Sequence, residues 1–220
     1  MVAEQLINHL IPPLKPGDTA GRALDWMDEF RCNQLPVVSD GRLLGFISSD
    51  TLIDGNDRNR PVDSLELGGQ DCTVNAEAHF YEVLRIAADH DMQMVAVVED
   101  NRYVGVITAS DVLTMFAQTA AVRMPGSVLV LSMESVQYSL AEISRLVEEN
   151  KARIISSSLA EDPLDAARIR VILKIDQPDL TRVVATLERF DYKIVGRYQQ
   201  VQSDDPDRER FDLLMRYLNI

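Results

Sequence analysis

Positive charge is scarce in this 220-residue chain: 22 Lys and Arg stand against 35 Asp and Glu, a net charge of −13. So acidic a surface repels phosphate backbones, which argues against nucleic acid or an anionic membrane as a main partner. It leaves room for a small nucleotide in a locally neutral cleft. No run approaches the roughly 20 apolar residues needed to cross a bilayer. The start, Met1-Val2-Ala3-Glu4-Gln5, lacks the basic region and apolar stretch of a secretion signal, so a cytoplasmic protein is expected. Cysteine is limited to Cys32 and Cys72, which form neither a metal spacing nor a disulfide framework, although a single pairing of the two stays open. Small core fillers are the expected role for both.

Catalytic signatures are missing as well. The chain has no glycine-rich phosphate loop, no Gly-x-Ser-x-Gly elbow and no Cys-x-x-Cys. His9, His79 and His90 show no ligand pattern, and His90 occupies a position that is apolar (Phe30) 60 residues earlier. No catalytic residue, metal site or required cofactor is therefore expected, and the chain reads as a non-enzyme.

What the chain does have is a repeat. A shift of 60 residues places Leu24 on Leu84, Val37-Val38 on Val97-Val98, Asp40 on Asp100, Gly45 on Gly105 and Ile47 on Ile107. A duplicated unit folds into halves that pack on each other, and the crevices between halves are natural ligand sites. In the first copy, Asp18-Thr19 precede a helical face of Ala20, Ala23, Leu24, Met27 and Phe30. Leu35 to Val38 and Leu43 to Ser48 read as a hairpin around Asp40-Gly41, with another helix from Asp50. The second copy repeats this with Phe80, Val83, Leu84 and Ala87 on the helix. Its hairpin strands are Met94 to Val98 and Tyr103 to Thr108, and the closing helix runs from Val112 to Gln118. Each copy is a β-α-β-β-α unit, placed at residues 1–60 and 61–122.

Met124-Pro125-Gly126 breaks the pattern and opens a third unit, residues 126–202. Its segments read as strand (Val128 to Met133), helix (Leu140 to about Asn150), two strands (Ile154 to Leu159, Ile169 to Ile175), helix (Leu180 to Phe190) and strand (Lys193 to Gln199). That order, βαββαβ, is a ferredoxin-like split-βαβ with a four-stranded antiparallel sheet. Residues 203–220 follow as an amphipathic helix, capped by Asp205-Pro206, with Phe211, Leu214, Met215 and Leu218 as its stripe. The overall class is α/β in the α+β sense.

The strings Leu35-Pro36-Val37-Val38 with Leu44-Gly45-Phe46-Ile47-Ser48, and Val95-Ala96-Val97-Val98 with Val104-Gly105-Val106-Ile107-Thr108-Ala109-Ser110-Asp111, resemble a tandem pair of CBS domains. The third unit resembles an ACT domain, and the whole arrangement is similar to the bacterial acetoin-utilisation (AcuB-type) proteins. The resemblance implies a regulatory protein, a homodimer with an unknown protein target, that binds AMP, ADP, ATP or S-adenosylmethionine between its repeats.

It also implies the site. Thr108 and Ser110 would bond a phosphate at a helix start, where free amides and the dipole favour an anion. Asp111 would accept from the ribose hydroxyls, since an ionised carboxylate is acceptor-only. The adenine would lie near Val95, Ala96, Thr73 and Val74. In the first repeat Ser48, Asp50, Leu35 and Pro36 would form a weaker cleft, because Thr51 takes the Asp111 position and Asp50 sits one residue early. Thr-x-x-Asp is equally a capping box that binds nothing, so a dimeric interaction scaffold without nucleotide is the alternative. In the third unit Tyr138 stands where amino-acid-binding ACT domains carry glycine, which favours dimerisation over amino-acid sensing there.

Overall fold

Two hairpin turns organise the first unit. Asp40 and Gly41 take φ of +52° and +75°, and Asp100 and Asn101 take +48° and +60°. Two successive residues at positive φ match the right-handed twist of the flanking strands, and Asp, Asn and Gly reach that region most readily. A computed structural model describes residues 1–199 of the chain, which divides into two compact units, Met1–Ala117 and Gln118–Ile220. The tail stripe at Phe211, Leu214, Met215 and Leu218 lies outside the described residues.

The first unit runs α1 (Ala20–Phe30), β1 (Gln34–Ser39), β2 (Arg42–Ser48), α2 (Ser49–Asp54), β3 (Thr73–Asn75), α3 (Phe80–Asp89), β4 (Met94–Glu99), β5 (Arg102–Thr108) and α4 (Ala109–Ala117). Strands β1 and β2 form one antiparallel sheet; β3, β4 and β5 form another, with β3 parallel to β4. Both hairpins carry the same register shift, at Val37/Val38 and at Val97/Val98. The expected opening strand of the first repeat shrinks to one bridge, Leu14 to Val37. Pro12, Pro13 and Pro16 crowd that segment, and proline cannot donate to a ladder.

The segments leading into each repeat cross over. Asn8, near the start of the first repeat, bridges to Val106 in β5, and Gly68, near the start of the second, bridges to Phe46 in β2. Asn8 N–H donates to the Val106 carbonyl at 2.8 Å, and the Phe46 and Gly68 amides exchange bonds at 2.7 and 2.9 Å. One continuous core results. Leu14, Leu35, Ile47, Met94 and Ile107 are its largest sealed side chains. Each contributes about 1.5–3 kcal/mol on burial.

The second unit runs α5 (Ala120–Arg123), β6 (Ser127–Glu134), α6 (Leu140–Glu148), β7 (Ile154–Glu161), β8 (Arg168–Ile175), α7 (Thr181–Arg189) and β9 (Lys193–Tyr198). Strand order is β7-β8-β6-β9, antiparallel throughout, which is the βαββαβ topology expected from the sequence. Alternate residues Leu129, Leu131 and Met133 on β6 and Val171, Leu173 and Ile175 on β8 share a core with Ile143, Leu146, Val183 and Leu187 of α6 and α7. The break at Gly126 is steric. At φ +147° a Cβ would sit 2.1 Å from the Ile175 carbonyl oxygen, so no side chain fits.

Charge divides unevenly between the units. Residues 1–117 hold 19 acidic and 8 basic side chains, whereas residues 118–199 hold 11 of each. No helix among the described residues is long and apolar enough to cross a membrane.

Candidate ligand cleft in the second repeat

The turn from β5 into α4 sets Thr108 and Asp111 against each other. Thr108 Oγ1 accepts from the Asp111 amide at 3.1 Å, while Asp111 Oδ2 accepts from the Thr108 amide at 2.8 Å and from its hydroxyl at 2.6 Å. That is the reciprocal capping box the spacing allows. A third donor comes from across the repeat: Asn8 Nδ2 reaches Asp111 Oδ1 at 3.2 Å and Oδ2 at 3.3 Å. Oδ1 has Asn8 as its one donor among the hydrogen bonds found, so it keeps lone-pair capacity for another.

This corner opens into a cavity of about 600 Å³ that also holds Ser110. Its walls come from the first lead (Asn8, Leu10, Ile11), the end of α1 (Glu29 to Cys32) and the start of β4 (Gln93, Met94). Ligand cavities fall in the range of about 300–1,000 Å³. Glu29, Asp111 and Arg31 are the charged groups on the lining, one carboxylate in excess.

The structure brings Thr108, Ser110 and Asp111 together and sends the other expected contacts elsewhere. Val95, Ala96 and Val74 are 1%, 0% and 2% exposed, inside the core, and none lines the cavity. Thr73 pairs with Ala96 in the β3–β4 ladder and is likewise absent from the lining. The apolar wall is built instead by Ile11, Phe30 and Met94. A period-two pattern tells which strand residues are apolar, but the cross-over of the leads decides which of them meet the cleft. Asn8, which among the described residues is the polar group that touches Asp111 from outside its own turn, carries no motif and was not legible in the sequence.

In the first repeat, Ser48 Oγ accepts from the Thr51 amide at 3.2 Å and lies 2.9 Å from the Thr51 hydroxyl. Ser48 and Thr51 border a cavity of about 210 Å³. Asp50 is exposed, while Leu35 and Pro36 are buried; none of these three lines that cavity.

Cys72 is sealed in the core, and burial, with the Asp71 charge adding to it, pushes its thiol up to about 11. Burial raises Cys32 also. Both cysteines are free. Among the described residues, no group of three His, Cys, Asp or Glu is placed to hold a metal.

Residues 3–55 and 69–118 match the family model of the CBS domain. The first unit is therefore a tandem CBS-domain pair. An uncharacterized protein of Methanocaldococcus jannaschii is 24% identical over 192 residues, covering 85% of this chain and 70% of that protein. Among solved structures, a CBS domain pair/ACT domain protein of Thermotoga maritima is 21% identical with a TM-score of 0.49, covering 54% of this chain and 98% of that one. The CBS domain pair of a further protein, in complex with 5-methylthioadenosine and S-adenosyl-L-methionine, is 20% identical with a TM-score of 0.44, covering 53% of this chain and 96% of that one.

Proposed function

We propose that this chain is a non-catalytic, ligand-sensing regulatory protein that binds an adenosine nucleotide in the cleft at Thr108 and Asp111. The observation that carries the reading is the 600 Å³ cavity, in which a capped helix start, a carboxylate with a free acceptor position and an apolar wall converge. Ribose hydroxyls would bond Asp111 Oδ1, in place of or beside Asn8. Thr108 and Ser110 would face the first phosphate, and the base would pack between Ile11, Phe30 and Met94.

Charge narrows the ligand. The unit's surplus of acid and the cleft's excess carboxylate disfavour a triphosphate against AMP or S-adenosylmethionine. Residues 126–202 would serve as an ACT-like dimerisation module, in the AcuB manner, in a cytoplasmic homodimer. Binding would shift the relation of the two repeats and so alter contact with a protein target.

Thermal unfolding of the whole chain with AMP, ADP, ATP and S-adenosylmethionine tests this. A ligand at 100 times its dissociation constant adds about 2.7 kcal/mol. A shift that disappears in Asp111→Ala supports the reading. No shift with any of the four overturns it in favour of the interaction scaffold, a reading favoured by the three donor groups that already hold Asp111. A shift undiminished in Asp111→Ala moves the site elsewhere.

A further inference from the structure

The cleft at Ser48 is the same construction as the cleft at Thr108. Shifting by 60 residues pairs Gln34 with Met94, Ser48 with Thr108, Thr51 with Asp111, Met92 with Cys32 and Gly68 with Asn8, and both members of every pair line their respective cavities. Yet one cavity has about a third of the volume of the other, 210 against 600 Å³.

Met92 contributes to the difference. It has two more heavy atoms than its counterpart Cys32, and it is held from both sides. Its Sδ accepts from Gln34 Nε2 at 3.4 Å. Its methyl lies so close over Gly69 that a Cβ there would come within 2.7 Å of it. Gln34 is itself fixed, its Oε1 accepting from the Gln93 amide at 3.3 Å. Thioethers fill irregular gaps well, and this one borders what remains of the cavity. Thr51 meanwhile offers no carboxylate to a ribose, and α2 at six residues is too short to present a useful helix terminus.

We infer that Met92 is a resident plug, a specificity-determining residue that helps keep the first repeat's cleft below the roughly 300 Å³ of a ligand cavity and makes the CBS pair a one-site sensor. The inference rests on the adenosine reading of the Thr108 cleft. With the Ser48 cleft narrowed by the chain's own side chain, ligand enters from one side of the pair and the response carries no site-to-site cooperativity within a chain.

Calorimetric titration of the full chain with AMP tests it by stoichiometry. Wild type takes one AMP per chain and Asp111→Ala takes none. The double variant Met92→Cys/Thr51→Asp, which copies the counterpart residues of the open cleft, takes two. Circular dichroism and melting establish that the variant is folded; if it is not, Met92→Ala, which only removes atoms, replaces it and acquires a second, weaker site. Two sites in the wild type, or one site in the folded variant, overturn the plug while leaving the adenosine reading intact. No binding to wild type overturns that reading and the plug with it.

Discussion

Ser48 and Thr108 cap equivalent helices after equivalent hairpins, yet the helix after Ser48 runs six residues and the one after Thr108 runs nine. Around Ser48 the hydroxyls of Ser48 and Thr51 satisfy one another and the cavity is small. Around Thr108 a carboxylate draws in Asn8 from the other lead and the cavity is nearly three times larger. What the two repeats have kept in common is what the backbone demands: the positive-φ turns, the bulge two residues before each turn, the crossed leads. What differs is the set of side chains at the two clefts, Ser48 and Thr51 against Thr108 and Asp111. Duplication thus conserves the frame and frees one of its two clefts.

The largest expected break in the symmetry is ligand-linked. AMP at 100 times its dissociation constant stabilises wild type by about 2.7 kcal/mol. Asp111→Ala abolishes that gain in chemical-denaturation melts, while Thr51→Ala at the matching position leaves it whole. Equal losses from both variants would mean that the two clefts act alike.

Alkaline pH separates the repeats next. Cys72 is buried in the second repeat where the first has Pro12. Its thiol titrates at about 11 in the fold against 9.0 for the free group. A raised folded value means stability that is complete below pH 9 and drains away as pH rises toward 11, because the unfolded chain releases the proton first. The loss is on the order of 2 kcal/mol. Urea melts at pH 8 and pH 10.5 measure it, and Cys72→Ala flattens the profile. An unchanged slope in that variant would assign the alkaline loss to other groups.

Smaller still are the caps. Ser48→Ala and Thr108→Ala each forfeit a side-chain acceptor at a helix start, worth about 1 kcal/mol. The Thr108 change costs more of the two, since the partly buried Asp111 carboxylate also loses its 2.6 Å hydroxyl donor. Melting both variants without ligand gives the difference directly.

How much of this was written in the sequence follows from the range of each interaction. The hairpins, the caps at Thr19, Ser48 and Thr108 and the alternation on β6 and β8 depend on neighbours within a few residues, and the pattern carries them. Thr108, Ser110 and Asp111 were named through the resemblance to CBS domains, and all three line one cavity. The cleft's far wall was not legible. Asn8 and Ile11 arrive through the crossed leads, a pairing over about a hundred residues that no local period encodes, and Phe30 comes from the end of α1. Val95 and Ala96 looked like wall residues because they are apolar and close in sequence, but β4 is covered on both faces, by β3 and β5 at its edges and by the core above and below.

The smallest expected effect concerns ligand charge and is the one that probes the cleft's environment without altering it. With Glu29 and Asp111 against Arg31, one carboxylate on the lining is uncompensated. At about 10 Å in a water-like dielectric, each extra negative charge on the ligand costs about 0.4 kcal/mol against that carboxylate, roughly twofold in affinity. ATP carries two more such charges than AMP, so it binds about fourfold more weakly at low salt from this pair alone. Screening at 0.5 M salt removes most of that penalty. ATP affinity therefore rises with salt, AMP changes less, and the cationic S-adenosylmethionine weakens. Titrations of the three ligands at low and high ionic strength give the ordering. An ATP affinity that falls with salt would place a cluster of cations at the phosphates, which neither the lining of this cleft nor the surplus of acid in residues 1–117 supplies.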